Sequence, residues 1–225
     1  MKENRLFRLL EDPRLYRLGQ RLLAPGADKL VLGYSKELLG LLPLATRLVD
    51  VGCGPSSWLW AFGLHPVGVD ISPAYSKEFR KTGEPAITAS ADRLPFATRS
   101  FDCSWSIGML HHLPDDLCQS ALAEMVRVVR PGGYVVIVDA VLPEPAWRHL
   151  TAYAIRRLDR GRYIRTSEGF KGLLPERAKW TVNRRRYSYN GLEILVCSQI
   201  LVDQTVSGVA GKAPIPKEID TDNAA

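Results

Sequence analysis

The spacing of apolar positions changes several times along the chain, and each change predicts a different element. Between residues 5 and 42, Leu6, Leu9, Leu10 and then Leu15, Leu18 and Leu22 recur every three to four residues, which predicts helices, with Asp12-Pro13 restarting the pattern. Arg14, Arg17 and Arg21 share another face of that stretch. From Arg47 the pattern becomes that of a short buried strand, Leu48-Val49-Asp50-Val51, which runs into a glycine-rich turn, Gly52-Cys53-Gly54-Pro55, and from there into an expected helix. Further strands are expected at Pro66–Asp70, near Ala86–Thr88, at Phe101–Ser106 and at Tyr134–Asp139. Ahead of the last of these, Asp115 or Asp116 is expected to cap a helix carrying Leu117, Ala121, Met125 and Val128, with Pro131-Gly132-Gly133 ending it.

Strands that alternate with helical patterns predict parallel pairing through right-handed crossovers, with any ligand site at the carboxyl ends of the strands. After residue 145 the pattern changes. Trp147–Asp159 reads as a helix, and Trp180–Tyr189 and Leu192–Ile200 read as two strands joined at Asn190-Gly191, a hairpin that would close the sheet antiparallel. Residues 202–225, mixed in Asp, Gly, Pro, Lys and Ala, are expected to form a disordered tail.

Composition narrows the class. With 225 residues, 46% hydrophobic and 24% charged, the chain suits one α/β-sized domain and excludes fibrous, wholly disordered and small disulfide-stapled classes. Apolar runs such as Tyr134–Val138 are too short to span a bilayer, and Met1–Leu10 shows no export signal, so a cytoplasmic location is expected. The four cysteines, Cys53, Cys103, Cys118 and Cys197, stand apart without ligand spacing, so no metal site is expected. The net charge of +6 is concentrated: residues 141–190 hold 12 Lys/Arg against 4 Asp/Glu. That surplus fits an anionic partner, a membrane surface or a solvated basic face.

Candidate chemistry gathers at the glycine turn. A strand ending in Asp50-Val-Gly52-Cys-Gly54 lets backbone amides and a helix N-terminus approach a ligand closely, because glycine has no β-carbon to obstruct it. Asp70 ends the second strand, where a carboxylate can accept hydrogen bonds from two ribose hydroxyls; its rival role is to cap the helix opened by Ile71-Ser72-Pro73. Asp92, after the third strand, is placed to accept from an adenine amine or to cap its own loop. Asp50 is placed to face a ligand ammonium group or to anchor the turn backbone.

On these residues the chain resembles a known family. Leu48-Val-Asp-Val-Gly-Cys-Gly54, Val67-Gly-Val-Asp-Ile-Ser-Pro73, Ala89–Phe96, Phe101–Asp115 and Glu124–Gly133 are similar, in order, to the successive motifs of class I S-adenosylmethionine-dependent methyltransferases of the small-molecule type. The resemblance implies an α/β, Rossmann-like sheet of seven strands, order 3-2-1-4-5-7-6 with strand seven antiparallel, and helices on both faces. It implies S-adenosyl-L-methionine as cofactor, with Gly52 and Gly54 under its methionine part, Asp50 nearby, Asp70 and Ile71 at the ribose, Ala91 and Asp92 flanking the adenine, and Ser106 and Ile107 lining the pocket beyond strand four. Residues 1–45 would then be a helical cap or lid, 46–201 the methyltransferase domain, and 141–180 its variable acceptor segment.

The pattern departs from the family after Gly54, where Pro55-Ser56-Ser57-Trp58 stands in place of the frequent Thr-Gly; Ser56 and Ser57 are expected to cap the helix or meet the cofactor carboxylate. A dinucleotide would need a third glycine where Ser57 stands, which disfavours a nicotinamide. Methyl transfer needs donor and acceptor held in line, and a hydroxyl acceptor gains from a base. His111 and His112 are the first candidates for that base, with a structural role in their loop as the competing reading; His149 and Tyr153 come second. Arg156–Arg165 and Arg184–Arg186 suit a small acceptor that is anionic or linked to a lipid or sugar, with peripheral membrane contact compatible. Nucleic acid is disfavoured, because no recognition module accompanies the basic residues. O-methylation is the favoured reaction; a non-catalytic module of the same fold and an RNA methyltransferase are the rivals.

Overall fold

In the computed structural model the described residues are 24–40, 47–145, 147, 149–158, 161–175, 180–188 and 192–201. Short runs of β-branched residues build a seven-stranded sheet: β1 (Leu48–Val51), β2 (Val67–Asp70), β3 (Ala86–Thr88), β4 (Phe101–Ile107), β5 (Val129–Val141), β6 (Thr181–Arg186) and β7 (Glu193–Ile200). Their spatial order is β3-β2-β1-β4-β5-β7-β6. β1 pairs in parallel with β2 and β4, β4 with β5, and β2 with β3, while β7 runs antiparallel to β5 and to β6. The order and the antiparallel seventh strand agree with the sequence expectation; Asn190-Gly191 itself lies outside the described residues.

The central strands β1, β4 and β5 are buried on both faces, as parallel strands covered by helices must be, whereas the edge strands β3 and β6 are largely exposed. Along β5, Val135 and Ile137 enter one core with Val49, Val51, Leu122, Met125 and Phe170, whereas Val136 and Val138 enter the other with Leu38, Leu48, Leu59 and Trp105. The first core is covered by α3 (Asp115–Arg127), which buries Cys118, Ala121, Leu122 and Met125 at helical spacing. Over the second core lies α1 (Ala27–Leu39), whose Leu38 packs among the sheet side chains and whose Tyr34 hydroxyl donates to the Arg186 carbonyl at 2.8 Å. The remaining helices are α2 (Pro73–Arg80), α4 (Leu150–Leu158) and α5 (Ser167–Lys171). Residues 1–23 and 202–225, with their expected N-terminal helices and tail, lie outside the described residues, as do residues 41–46.

Four expectations are corrected. The helix after the glycine turn is a five-residue 3-10 segment, Trp58–Phe62, capped by Ser57, so it lends the turn no helix dipole of useful length. The helix after strand four is preceded by Pro114, with Asp115 and Asp116 in its first turn and neither capping it through a side chain. It stops at Arg127, before Pro131-Gly132-Gly133, because β5 begins at Val129 and absorbs those residues where the β4–β5 register shifts between Phe101 and Cys103. Of the helix expected from Trp147 to Asp159, the described residues show Leu150–Leu158, with Trp147 and His149 ahead of it; Asp159 lies outside the described residues.

Candidate active site

At the carboxyl ends of β1 and β2 the chain turns back on itself. Gly52 and Cys53 donate their backbone N–H groups to the Val69 carbonyl at 2.8 and 3.1 Å, which fixes the turn against β2. Both turn glycines have positive φ, 72° at Gly52 and 62° at Gly54, but their surroundings differ. A β-carbon on Gly52 would come within 2.2 Å of Met109 Cγ, so this glycine admits a protein side chain. A β-carbon on Gly54 would meet nothing within 4 Å, so here the backbone borders open space.

Asp70 organises the rim of that space. Its Oδ2 accepts from Gly54 N–H at 2.9 Å and its Oδ1 from Ser72 N–H at 2.8 Å, while Ser72, not Asp70, caps α2. Asp50 is buried one strand away and accepts from the Ser57 hydroxyl at 2.6 Å. Burial pushes the Asp50 carboxyl up to about 7; the Ser57 hydrogen bond opposes that rise and the negative charge of Asp70 adds to it. Burial likewise raises Asp70 above the usual carboxylate range, against the pull of the Ser72 and Gly54 amides. Among the described residues no cationic side chain acts on either acid.

The neighbouring predicted residues are distributed unevenly. Ile71 is 73% exposed beside Asp70, an apolar side chain with no protein cover. Ala91 packs partly on the first core, and Asp92 accepts from the Ser90 hydroxyl through Oδ1. Ser106 is brought near the edge but fully buried, and its hydroxyl has no partner among the described residues; Ile107 packs into the second core. Ser106 is thus enclosed at the sheet edge, and Ile107 is half-buried. Ser57 serves Asp50 and the 3-10 cap, and Ser56 is exposed.

Across the sheet edge, at the end of β5, lies an acid that sequence reasoning passed over as the last residue of an apolar strand. Asp139 is completely buried and accepts from Leu110 N–H through Oδ2 at 2.6 Å, from Ala140 N–H through Oδ1 at 2.7 Å, and meets His111 Nδ1 at 2.6 Å. Burial alone would raise its carboxyl, but the His111 ring, by charge and hydrogen bond, and the two backbone donors outweigh it and hold Asp139 below the usual range. The signal available in the sequence was a single carboxylate in Tyr134-Val-Val-Ile-Val-Asp139, which a buried strand tolerates only with a partner. His111 is 8% exposed within a 3-10 turn, Leu110–His112, and its ring lies tilted against that of the exposed His112, with centroids 4.1 Å apart. His111 Nδ1 thus faces a buried carboxylate, an arrangement in which a carboxylate orients an imidazole.

Four arginines of the basic cluster are committed inside the protein. Arg165 pairs with Asp115 at 2.7 Å, Arg184 with Glu144 at 3.2 Å and with Glu193, and Arg185 with Glu37 at 3.3 Å. Arg156 is buried, donating to the Glu193 carbonyl at 2.8 Å beneath the Tyr187 ring. His149 and Tyr153 lie near and on α4, with the Tyr153 amide bonded to the His149 carbonyl. Among the described residues no group of three His, Cys, Asp or Glu side chains has the arrangement of a metal site, and no helix is long and apolar enough to cross a membrane.

Residues 49–137 match the family described as methyltransferase domain. Over 143 residues, 56% of this chain and 51% of the relative, the chain is 31% identical to 27-O-demethylrifamycin SV methyltransferase of Amycolatopsis mediterranei. It is also 38% identical over 101 residues, 43% of this chain and 24% of the relative, to the tRNA (carboxymethyluridine(34)-5-O)-methyltransferase of Arabidopsis thaliana. The chain thus spans about half the length of the first of these relatives and a quarter of the second. The fold superposes with a TM-score of 0.64 on a SAM-dependent methyltransferase of Thermotoga maritima, at 17% identity, covering 86% of this chain and 99% of that one. Sheet order, glycine turn and motif run define the class: residues 49–137 are a class I, S-adenosylmethionine-dependent methyltransferase domain. The cofactor of such a domain is S-adenosyl-L-methionine, and the residues at the β1–β2 corner fit it, since Gly54 borders open space, Ile71 presents an uncovered apolar flank and Asp50 and Asp70 lack a protein cation.

Proposed function

We propose that the chain transfers a methyl group from S-adenosyl-L-methionine to a hydroxyl of a small acceptor, with His111 as the base and Asp139 as the residue that orients it. When bound, the cofactor supplies a methyl group made electrophilic by its sulfonium. The backbone at Gly54 and the carboxylates of Asp70 and Asp50 hold it, Asp70 toward the ribose hydroxyls and Asp50 toward the ammonium group. Asp92 has Oδ2 left for an adenine amine, and Ile71 and Ala91 flank the ring. His111 Nε2 takes the hydroxyl proton as the acceptor oxygen attacks, and Asp139 steadies the imidazolium that results.

The observation that carries this reading is the buried Asp139–His111 pair at 2.6 Å on the same sheet edge as the glycine turn. The acceptor side also favours an apolar body over a polyanion. Trp147, Leu150 and Tyr163 are 68%, 69% and 40% exposed in the segment after β5, whereas Arg165, Arg184 and Arg185 are held in ion pairs. A lipid-linked hydroxyl suits these features better than an anionic headgroup or an RNA backbone, which would draw on several uncommitted cations.

The test is release of S-adenosylhomocysteine when the protein is given S-adenosylmethionine and a fractionated metabolite extract of its source cell, with the methylated atom located by NMR. Turnover on an organic-soluble fraction that His111→Asn abolishes supports the proposal. Cofactor binding without turnover on any fraction identifies a non-catalytic module, and methylation confined to the RNA fraction identifies an RNA enzyme.

A further inference from the structure

Asp139 alone does not fix the direction of the His111 ring, because one hydrogen bond at Nδ1 leaves the imidazole free to swing about it. A second restraint comes from the variable segment between α4 and α5. A β-carbon on Gly161 would collide with His111 Cδ2 and stand 3.1 Å from Nε2, so this position next to the ring edge opposite Asp139 has no room for a side chain. Two residues on, the Tyr163 N–H donates to the His111 carbonyl at 3.1 Å. The run then docks on β5 at Arg165, whose carbonyl accepts from Leu142 N–H at 2.8 Å beside a parallel bridge to Val141.

The Arg165 side chain completes the contact. Its Nη1 donates to the Leu110 carbonyl at 3.2 Å and its Nη2 to the Leu113 carbonyl at 2.7 Å, the residues on either side of His111 and His112. Its Nε and Nη2 meet Asp115 Oδ1 at 2.8 and 2.7 Å, at the start of α3. Only 9% of this guanidinium side chain is exposed. Lysine cannot reproduce the set, because a single ammonium lacks the planar fork that reaches two carbonyls and a carboxylate together.

We propose that residues 161–165 form a strap that positions His111, with Arg165 as the positioning residue and Gly161 as the contact that only a glycine permits. The inference rests on His111 being the base of the proposed reaction. Its consequence is that this part of the basic cluster acts on the catalytic turn and is not a phosphate or carboxylate site.

The test uses the full-length protein with isotope-labelled histidine, the four histidine rings being resolved and His111 assigned through His111→Asn. In wild type the buried His111 Nδ1–H is expected to exchange slowly with water. Arg165→Met, which removes the donors to the Leu110 and Leu113 carbonyls, is expected to speed that exchange about tenfold or more, while thermal unfolding stays cooperative. Arg165→Lys is expected to fall between the two, and Gly161→Ala to shift the ring resonances. With a hydroxyl acceptor in hand, kcat drops in parallel and KM for S-adenosylmethionine does not move. Should Arg165→Met fail to fold, Arg165→Lys and Asp115→Asn carry the same readout. Wild-type exchange and titration of His111 in the folded Arg165 variants would overturn the strap. Undiminished turnover by His111→Asn would instead overturn the base reading, and the exchange data separate the two outcomes.

Discussion

Two completely or almost completely buried aspartates stand on the carboxyl edge of one sheet, and their carboxyl groups are driven in opposite directions. Asp139, at the end of β5, has a histidine and two backbone donors and is held below the usual range. Asp50, in β1, has one serine hydroxyl and a second acid nearby, and burial pushes it up to about 7. The difference is the number of donors the protein supplies: Asp139 meets His111 Nδ1 and two backbone N–H groups, and Asp50 a single hydroxyl. One corner of the site is electrostatically complete before any ligand arrives, and the other becomes complete only when a positive group joins it. The first corner therefore suits a group that must be oriented for proton transfer, and the second a place where a cationic cofactor binds.

The largest expected effect follows from disturbing the complete corner. Asp139→Asn and His111→Asn should each lower kcat by about two to four orders of magnitude with little change in cofactor affinity, measured as S-adenosylhomocysteine release and by calorimetry. Equal losses from both, without further loss in the double variant, would show that the two act as one unit.

At the incomplete corner, Asp70→Ala should weaken S-adenosylmethionine binding by about a hundredfold, the loss of charge-assisted bonds to the ribose together with the anchor on Gly54. Binding unchanged from wild type would remove Asp70 from the site. The two glycines sharpen the contrast further. Gly52→Ala forces a β-carbon against Met109 at positive φ and should cost about 2–3 kcal/mol of stability in denaturant unfolding. Gly54→Ala, with open space around it, should cost only about 1 kcal/mol of stability while reducing cofactor binding. A larger stability loss at Gly54 than at Gly52 would contradict the assignment of the open side.

The incomplete corner also gives the protein a pH dependence. Because folding raises the carboxyl of Asp50, the unfolded chain ionises there first, and wild type loses stability as pH rises from about 4 toward 7. Asp50→Asn removes that linkage, so its stability relative to wild type should grow across the interval and level off above it. Urea unfolding at a series of pH values would show no such growth if Asp50 were ionised throughout in the folded protein.

Much of the incomplete corner was legible in advance, because its chemistry is local: Asp50, Gly52, Gly54 and Asp70 lie on two short strands and one turn, and glycine turns declare themselves in sequence. The complete corner was half legible. His111 stood out by residue type, but its partner Asp139 is 28 residues away on another strand, and pairing at that distance is set by the β4–β5 register and not by any spacing in the chain. The arginines illustrate the same limit. Counted along the chain they read as a ligand surface; in the fold Arg165 spans from β5 to the His111 turn and Arg184 closes on Glu144 and Glu193. The expected helix beyond Gly54 shrank to a 3-10 segment because Ser57 spends its hydroxyl on both Asp50 and the cap, which draws the turn tight.

The most direct measurement is calorimetric titration of wild type and Asp50→Asn with S-adenosylmethionine between about pH 5.5 and about pH 8, where burial places the ionisation of this acid. Wild-type affinity should climb as pH passes through about 7, with protons released on binding, and the Asn variant should bind more weakly with a flat profile over the same interval. A wild type that does not bind, or that binds equally well at every pH and no better than the variant, would contradict the placement of the cofactor at this corner.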